Sequence, residues 1–316
     1  MQKAGNVILL FLTALIWGVA FVAQSVSMDY IGPLTFICLR FFIGGLFLIP
    51  VIWIFDKKKE DGERKKGMLC AGREENEPGQ KNHGSKHTRW MDKKLIFSGI
   101  VCGIFLFGGS FFQQVGIQYT TVGKAGFITA FYIIIVPLFG LFMKKRCGLL
   151  TWIGVFVALL GLYFLCMTEA LRIERGDFLV LIGAFMFAAQ IMAVDYFNPQ
   201  VDGVKMSCYQ FLTGGVIGLC GMLLFESPSL TPILGAAVPI LYTGIMSTGV
   251  GYTLQIVGQK GIHPAVAALI LSMESVFSAL SGFILLHQTM SFRELTGCIL
   301  MFLAIILAQL PDFWRK

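Results

Sequence analysis

The stretch Arg40-Phe41-Phe42-Ile43-Gly44-Gly45 returns, at a shift of 170, as Gln210-Phe211-Leu212-Thr213-Gly214-Gly215. The same shift sets Ala14 on Ala184 and Trp17 on Phe187. Later the spacing changes to 142. Gly109, Gln113, Val115 and Gly116 then fall on Gly251, Gln255, Val257 and Gly258, and Ala125 and Ile128 on Ala267 and Ile270. A shift of 143 brings Gly154 onto Gly297. The drop from 170 to 142 requires 28 extra positions in the first half, and the polar segment 56–93, which has no counterpart, supplies them. Self-similarity with an explained gap marks a chain built as two copies of one unit.

Each copy holds five apolar stretches. The ten run near 5–25, 33–55, 94–118, 123–143, 149–167, 177–197, 205–225, 233–257, 264–286 and 291–310. About 20 apolar residues are needed to cross ~30 Å of hydrocarbon as a helix. No alternating strand pattern is present, and backbone polar groups in lipid must be satisfied within the segment, so helices are expected throughout. Short connections with turn residues, such as Ile31-Gly32-Pro33 and Asn198-Pro199, force antiparallel neighbours. Five is odd, so the second unit enters the membrane from the opposite face. The expected fold is an all-α integral membrane protein of ten transmembrane helices in two inverted five-helix repeats. The first covers 1–167 with a disordered cytoplasmic loop at 56–93, and the second covers 177–310.

Composition fits lipid and excludes a soluble globule. Apolar types make up 56% of the 316 residues and charged types 14%, against about 25% charged in soluble domains. The net charge of +7 is not a nucleic-acid signal, because the basic residues sit in connections. With the N-terminus inside, twenty Lys and Arg fall on inner segments and four on outer ones (Lys124, Arg172, Arg175 and Arg293), while Arg40 lies within a helix. Both termini are therefore expected in the cytoplasm, with the chain in the cytoplasmic membrane. The first stretch is longer than a signal-peptide core and has a counterpart in the second half, so it reads as a mature helix. Six of the eight cysteines lie in apolar stretches and no C-x-x-C pair occurs. Cys70, His83 and His87 share the polar segment without paired thiols, so neither metal nor cofactor is expected.

Polar residues inside apolar stretches are the candidate site. Glu274 lies ten residues into its stretch, about 15 Å deep. A carboxyl there faces water, a partner or a substrate, or is protonated, which leaves proton coupling and a structural role both open. Glu274, Ser278 and Ser281 form one helical stripe. The repeat sets Tyr132 opposite Glu274, with Thr129 on the same face. Thr248, Tyr252 and Gln255 form another stripe, and Gln255 matches Gln113 as a candidate pair of gates. Trp17 and Gln24 share a face of the first helix, and Gln190 lies inside the sixth. Each of these could equally be interhelical packing. Arg40, about 10 Å inside the second helix, could bind a carboxylate, but snorkelling to the headgroups is the simpler expectation at that depth.

Three short motifs resemble the drug/metabolite transporter superfamily in its EamA-type branch. They are Ala14-Leu15-Ile16-Trp17-Gly18, Leu39-Arg40-Phe41 and Met273-Glu274-Ser275-Val276-Phe277. The resemblance implies ten helices and transport, often export, of amino acids or other small metabolites. There are departures. Ser275 stands where the family usually has Pro, removing the proline reason for a kink, and His287-Gln288 replaces a frequent Gly-Glu. Pro137 lies four residues beyond the position that would match.

The expected activity is alternating-access carriage of small polar, amino-acid-like solutes, with the lipid bilayer as the other partner. One carboxyl, amides, hydroxyls and aromatics suit a zwitterion better than a phosphorylated anion, which would call for several buried cations. An enzyme would need a clustered catalytic set, and His263 and His287 lie near opposite faces. A receptor or scaffold would have no need of two interchangeable halves. The chain is therefore not read as an enzyme.

Overall fold

The computed structural model describes residues 2–71, 90–120, 122–144, 148–166, 175–285 and 291–314, and among them only helices and their connections occur. The helices are α1 (Gln2–Ser27), α2 (Pro33–Ala71), α3 (Lys93–Ile117), α4 (Val122–Thr129), α5 (Tyr132–Phe142), α6 (Leu149–Cys166) and α7 (Arg175–Phe197). They are followed by α8 (Gly203–Phe225), α9 (Leu230–Gly235), α10 (Ala237–Leu241), a π-helix (Tyr242–Tyr252), α11 (Thr253–Gln259), α12 (Pro264–Leu271), α13 (Glu274–Leu285) and α14 (Phe292–Trp314). Seven described segments are long and apolar enough to cross a bilayer: Ala4–Ser27, Pro33–Lys57, Lys93–Ile117, Ala125–Phe142, Arg175–Phe197, Gly203–Phe225 and Pro264–Leu285. The three remaining expected stretches hold α6, the run from α9 to α11, and α14, whose described apolar runs are shorter or interrupted.

Three local features differ from the sequence expectation. First, α2 runs on to Ala71 through part of the segment expected to be disordered. Lys, Arg and Glu are good helix formers, and extending an existing helix needs no new nucleus. Residues 72–89, with His83 and His87, lie outside the described residues, as do Lys145, Arg146, Arg172, His287, Gln288, Arg315 and Lys316. Second, the α12–α13 run is interrupted at Ser272-Met273 despite the missing proline. The hydroxyls of Ser272 and Ser275 donate back to Leu269 O (2.7 Å) and Ser272 O (2.8 Å), and the backbone tightens to i→i+3 bonds at Met273 and Ser275. Serine back-bonding bends helices in this way. The α4–α5 run breaks at Ala130-Phe131, again with i→i+3 bonds. Third, the stretch 233–257 contains the π-helix. Gly244, Gly249 and Gly251 weaken its α preference. Side chains of α1 bond to its carbonyls: Thr13 Oγ1 donates to Gly251 O (3.3 Å) and Trp17 Nε1 to Ser247 O (3.2 Å).

The bundle places α1 against α13 and against the π-helix with α11, while α7 packs on α4–α5 and α3. α2 lies on α8 and the π-helix, α3 on α8, and α6 on α14. Exchanging the halves (α1 for α7, α2 for α8, α3 for the π-helix with α11, α4–α5 for α12–α13, α6 for α14) turns every one of these contacts into another of the set. The two breaks, at 130–131 and 272–273, are separated by 142, the later spacing of the sequence repeat.

The α2–α8 pair is tied at both ends. At one end the Glu226 carboxylate accepts from Leu34 N and Thr35 N (2.8 Å each) and from Thr35 Oγ1 (2.5 Å), capping the start of α2. At the other end Lys205 Nζ meets Asp56 Oδ2 at 2.8 Å, at the start of α8. The shift of 170 carries Asp56 onto Glu226 and Thr35 onto Lys205, so the two ties occupy matching positions in the two halves.

Polarity is inverted relative to a soluble protein. Large apolar side chains such as Trp53, Phe156, Leu224 and Phe225 face outward, whereas Gln24, Arg40, Gln114, Gln190, Gln210 and Glu274 are buried. Lipid favours this arrangement because the polar groups must find partners inside the bundle. Helices α1 and α13 approach closely at Gly18. A Cβ there would overlap Phe277 and the Ser278 backbone, and Ser281 Oγ donates to Gly18 O at 3.2 Å. Gly18→Leu is therefore expected to lower stability by at least ~1–3 kcal/mol through overpacking, read as a drop in melting temperature of the detergent-purified protein. An unchanged melting temperature would show that α1 and α13 do not meet there.

Candidate functional site

A polar cavity lies where the two broken runs approach α1 and α7. Its cavity volume is about 30 Å³, so in this conformation the side chains close in on it. α1 contributes Trp17, Phe21 and Gln24, α2 contributes Arg40, and α3 contributes Gln113. Thr129 and Tyr132 come from either side of the first break, and Glu274 begins α13 just after the second. α7 supplies Phe187, Gln190 and Ile191, the π-helix Ser247 and Tyr252, and α11 Gln255.

The polar groups are partly paired. Tyr132 donates its hydroxyl proton to Glu274 Oε1 at 3.0 Å. These two residues are each other's counterparts at the 142 spacing, so matching positions of the two halves touch here. Gln113 Nε2 donates to Thr129 Oγ1 (2.9 Å), and Gln255 Nε2 donates to Gln190 Oε1 (3.1 Å). Gln190 Nε2 reaches Gln210 Oε1 at 3.4 Å. Arg40 Nη1 donates to Gln24 Oε1 at 3.3 Å, and its guanidinium lies 5.2 Å from the Phe41 ring centre and 5.7 Å from that of Phe36. The Trp17 and Tyr252 rings meet at 4.5 Å between centres. Arg40 Nε and Gln255 Oε1 are buried without a hydrogen-bond partner. A buried polar group left in that state costs about 1–3 kcal/mol, so the cavity is incompletely satisfied without a guest.

The cavity gathers Trp17, Gln24, Arg40, Gln113, Tyr132, Gln190, Tyr252, Gln255 and Glu274. Arg40 does not snorkel. It is 2% exposed and turned into the bundle, held by Gln24 and the phenylalanine rings. Ser278 does not line the cavity, although it stands one turn from Glu274 on the same face. The Gly18 contact presses α1 onto α13 at Phe277 and Ser278, and this seals the serine away. Thr248 is buried against Gly44, and Ser247 lines the cavity in its place. A π-turn holds more residues than an α-turn, so Ser247 and Tyr252, five apart, share a face. Phe21, Phe187, Ile191 and Ser247 were not legible as lining residues. Phe21 had one signal, its place a turn beyond Trp17, and Phe187 another, its match to Trp17 at the shift of 170. No group of three or more His, Cys, Asp or Glu side chains that could hold a metal occurs among the described residues.

A multi-pass helical membrane protein with a polar cavity enclosed by broken helices has the build of a membrane transporter. The chain belongs to the EamA-like transporter family, which matches it over residues 5–167 and 174–310, and with it to the drug/metabolite transporter superfamily. An uncharacterized transporter of Archaeoglobus fulgidus is 29% identical over 311 residues, covering 95% of this chain and 84% of its own. The uncharacterized transporter YoaV of Bacillus subtilis is 25% identical, covering 96% of each. A solved crystal structure superposes with a TM-score of 0.73 at 17% identity over 99% of both chains, a likeness of fold.

Proposed function

We propose that this protein is a secondary transporter that exports small polar, amino-acid-like metabolites across the cytoplasmic membrane by alternating access. In this reading ten spans form two inverted five-helix repeats, 1–167 and 177–310, with both termini in the cytoplasm. The observation that carries it is the polar cavity at the meeting of two broken helices, with Tyr132 and Glu274 bonded across the matching positions. Inverted repeats place solute sites between discontinuous helices near the midplane. The breaks at the repeat's own spacing, the exchangeable contact set and the matched ties at opposite ends of α2–α8 support the same reading. Two halves that can trade conformations open the cavity to one side and then to the other. Solute or proton gradients would supply the energy, with Glu274 as the group able to carry a proton.

The test is counterflow in proteoliposomes preloaded with an unlabelled amino-acid mixture and supplied outside with trace labelled amino acids. Accumulation of label above that in protein-free vesicles is expected. Its absence for amino acids and other small polar metabolites alike, in protein that remains folded, would overturn the carrier reading.

Deletion of residues 72–88 is expected to leave counterflow unchanged, because the second half works without an equivalent. The cut stops before Trp90, whose carbonyl accepts from the Tyr209 hydroxyl (2.8 Å) and whose ring lies 5.7 Å from Lys205 Nζ. Loss of counterflow with normal membrane insertion would give the segment a role in transport.

A further inference from the structure

Among the described residues, the charged side chains lining the cavity are Arg40 and Glu274. Each stands where the other half of the chain carries a neutral residue: Gln210 matches Arg40, and Tyr132 matches Glu274. The two halves are therefore alike in shape at the cavity and unlike in charge. One gives it a cation and the other an acid. Both are almost fully buried, at 2% and 4% exposure.

These charges do not neutralise one another. No ion pair joins Arg40 to Glu274 among the described residues, where Lys205–Asp56 is a pair that does form. The guanidinium donates to Gln24 at 3.3 Å and also bonds with the Tyr252 hydroxyl, while its Nε has no partner. The carboxyl receives the Tyr132 hydroxyl at 3.0 Å. Tyr252 lies close enough to interact with both charged side chains. Hydrogen bonds and ring faces satisfy each group only in part, and where stability alone is at stake a buried cation and acid are better joined or replaced by apolar residues. Held apart in one cavity, they await a guest that brings the complementary pair.

We propose that Arg40 and Glu274 form a charge clamp for a zwitterion, with the guest's carboxylate on Arg40 and its ammonium on Glu274. The clamp rests on the carrier reading above and adds a substrate class and an orientation to it. The guanidinium presents a planar set of donors that a carboxylate can engage at two points, and Nε is the free one. The carboxyl accepts from an ammonium. Trp17 and Tyr252, in ring contact, supply the apolar wall that the rest of a small guest would cover. Because the cation and the acid come from different halves, a bound zwitterion bridges the halves, and either charge alone leaves one of them unsatisfied.

The test uses matched sets of three solutes: an amino acid, the amine formed by removing its carboxylate, and the acid formed by removing its amino group. Binding to detergent-purified protein is read as the ligand-dependent rise in melting temperature. Wild-type protein is expected to bind at least one amino acid tenfold or more tightly than either partner in its set. In Arg40→Gln the preference over the amine should vanish while the preference over the acid survives. In Glu274→Gln the two preferences should exchange. If a neutral variant fails to fold, Arg40→Lys and Glu274→Asp keep the charge but change its reach and geometry, and each should weaken only the preference served by its own residue. Equal binding of amino acid, amine and acid by wild-type protein, or loss of both preferences together in each variant, would refute the clamp. So would tight binding of only neutral or singly charged solutes. Clamp and carrier separate cleanly. Binding with the expected split but no counterflow keeps the clamp and removes the carrier, whereas counterflow of singly charged solutes at equal potency does the reverse.

Discussion

Glu274→Gln is expected to reduce counterflow at least tenfold while the protein still folds, and Glu274→Ala to reduce both counterflow and stability. The reason lies in what each change leaves behind. Glutamine keeps the shape and still offers an oxygen to the Tyr132 hydroxyl, which bonds to Glu274 Oε1 at 3.0 Å in the native protein. It removes the ionisable carboxyl, and with it any ammonium or proton that the group would hold. Tenfold corresponds to about 1.4 kcal/mol, less than a charge-assisted hydrogen bond in a buried site supplies. Alanine goes further, because it strands the Tyr132 hydroxyl, which is 2% exposed. That alone costs about 1–3 kcal/mol, and the vacated volume adds to it. Tyr132→Phe separates the two roles. It deletes the same hydrogen bond but keeps the carboxyl, so it should retain more transport than Glu274→Gln. The decisive measurement is the initial rate of counterflow beside a melting curve for each variant. Wild-type rates in Glu274→Gln would remove this residue from the transport mechanism.

The second large effect concerns the ties at the two ends of α2–α8. Glu226→Ala deletes a carboxylate that accepts three hydrogen bonds, two of them from the first backbone N–H groups of α2. A charged N-terminal cap of this kind is worth about 2 kcal/mol, and the melting temperature should fall accordingly. Thr35→Val removes only the shortest bond of the three and should cost less. The other tie, Lys205–Asp56, holds the opposite end. Alternating access requires the two ends to separate in turn, so weakening one tie should favour opening at that end. With the native cysteines replaced by serine and a Gln24→Cys probe placed in the cavity, a thiol reagent confined to the outside should label faster in Glu226→Ala than in the parent. In Lys205→Met it should label more slowly. Equal labelling in all three proteins would mean that the ties are structural and play no part in access.

Legibility of this molecule followed the physics of the solvent. Lipid imposes a minimum apolar length on each span, and this requirement is written into the chain as stretches that any reader can count. Glu274 was legible for the same reason, since a carboxyl at that depth stands out against hydrocarbon. The backbone irregularities were not. Proline is a visible cause of a kink, but the break at 272–273 comes from serine hydroxyls bonding back to carbonyls, and serine does this only where the surroundings favour it. The π-helix is similar: its carbonyls take donors from Thr13 and Trp17, at the far end of the chain. That long-range contact swaps Ser247 for Thr248 at the cavity wall.

Arg40 and Ser278 mark the boundary most clearly. Depth along a helix can be counted from sequence, but the direction of a long side chain depends on what surrounds it. Arg40 is near enough to an interface to snorkel, yet it turns inward because Gln24, Phe36 and Phe41 receive it there. Ser278 shares a face with Glu274, yet it is shut out of the cavity because Gly18 lets α1 close over it. The sequence by itself determined the membrane class and the seven long apolar spans, because these follow from local hydrophobicity, and it offered the repeat as an expectation from matching residues at recurring spacings. Tertiary structure decided which polar groups share one cavity, which of them bond, and that its cation and acid stay apart. Those outcomes depend on the close approach of helices far apart in the chain.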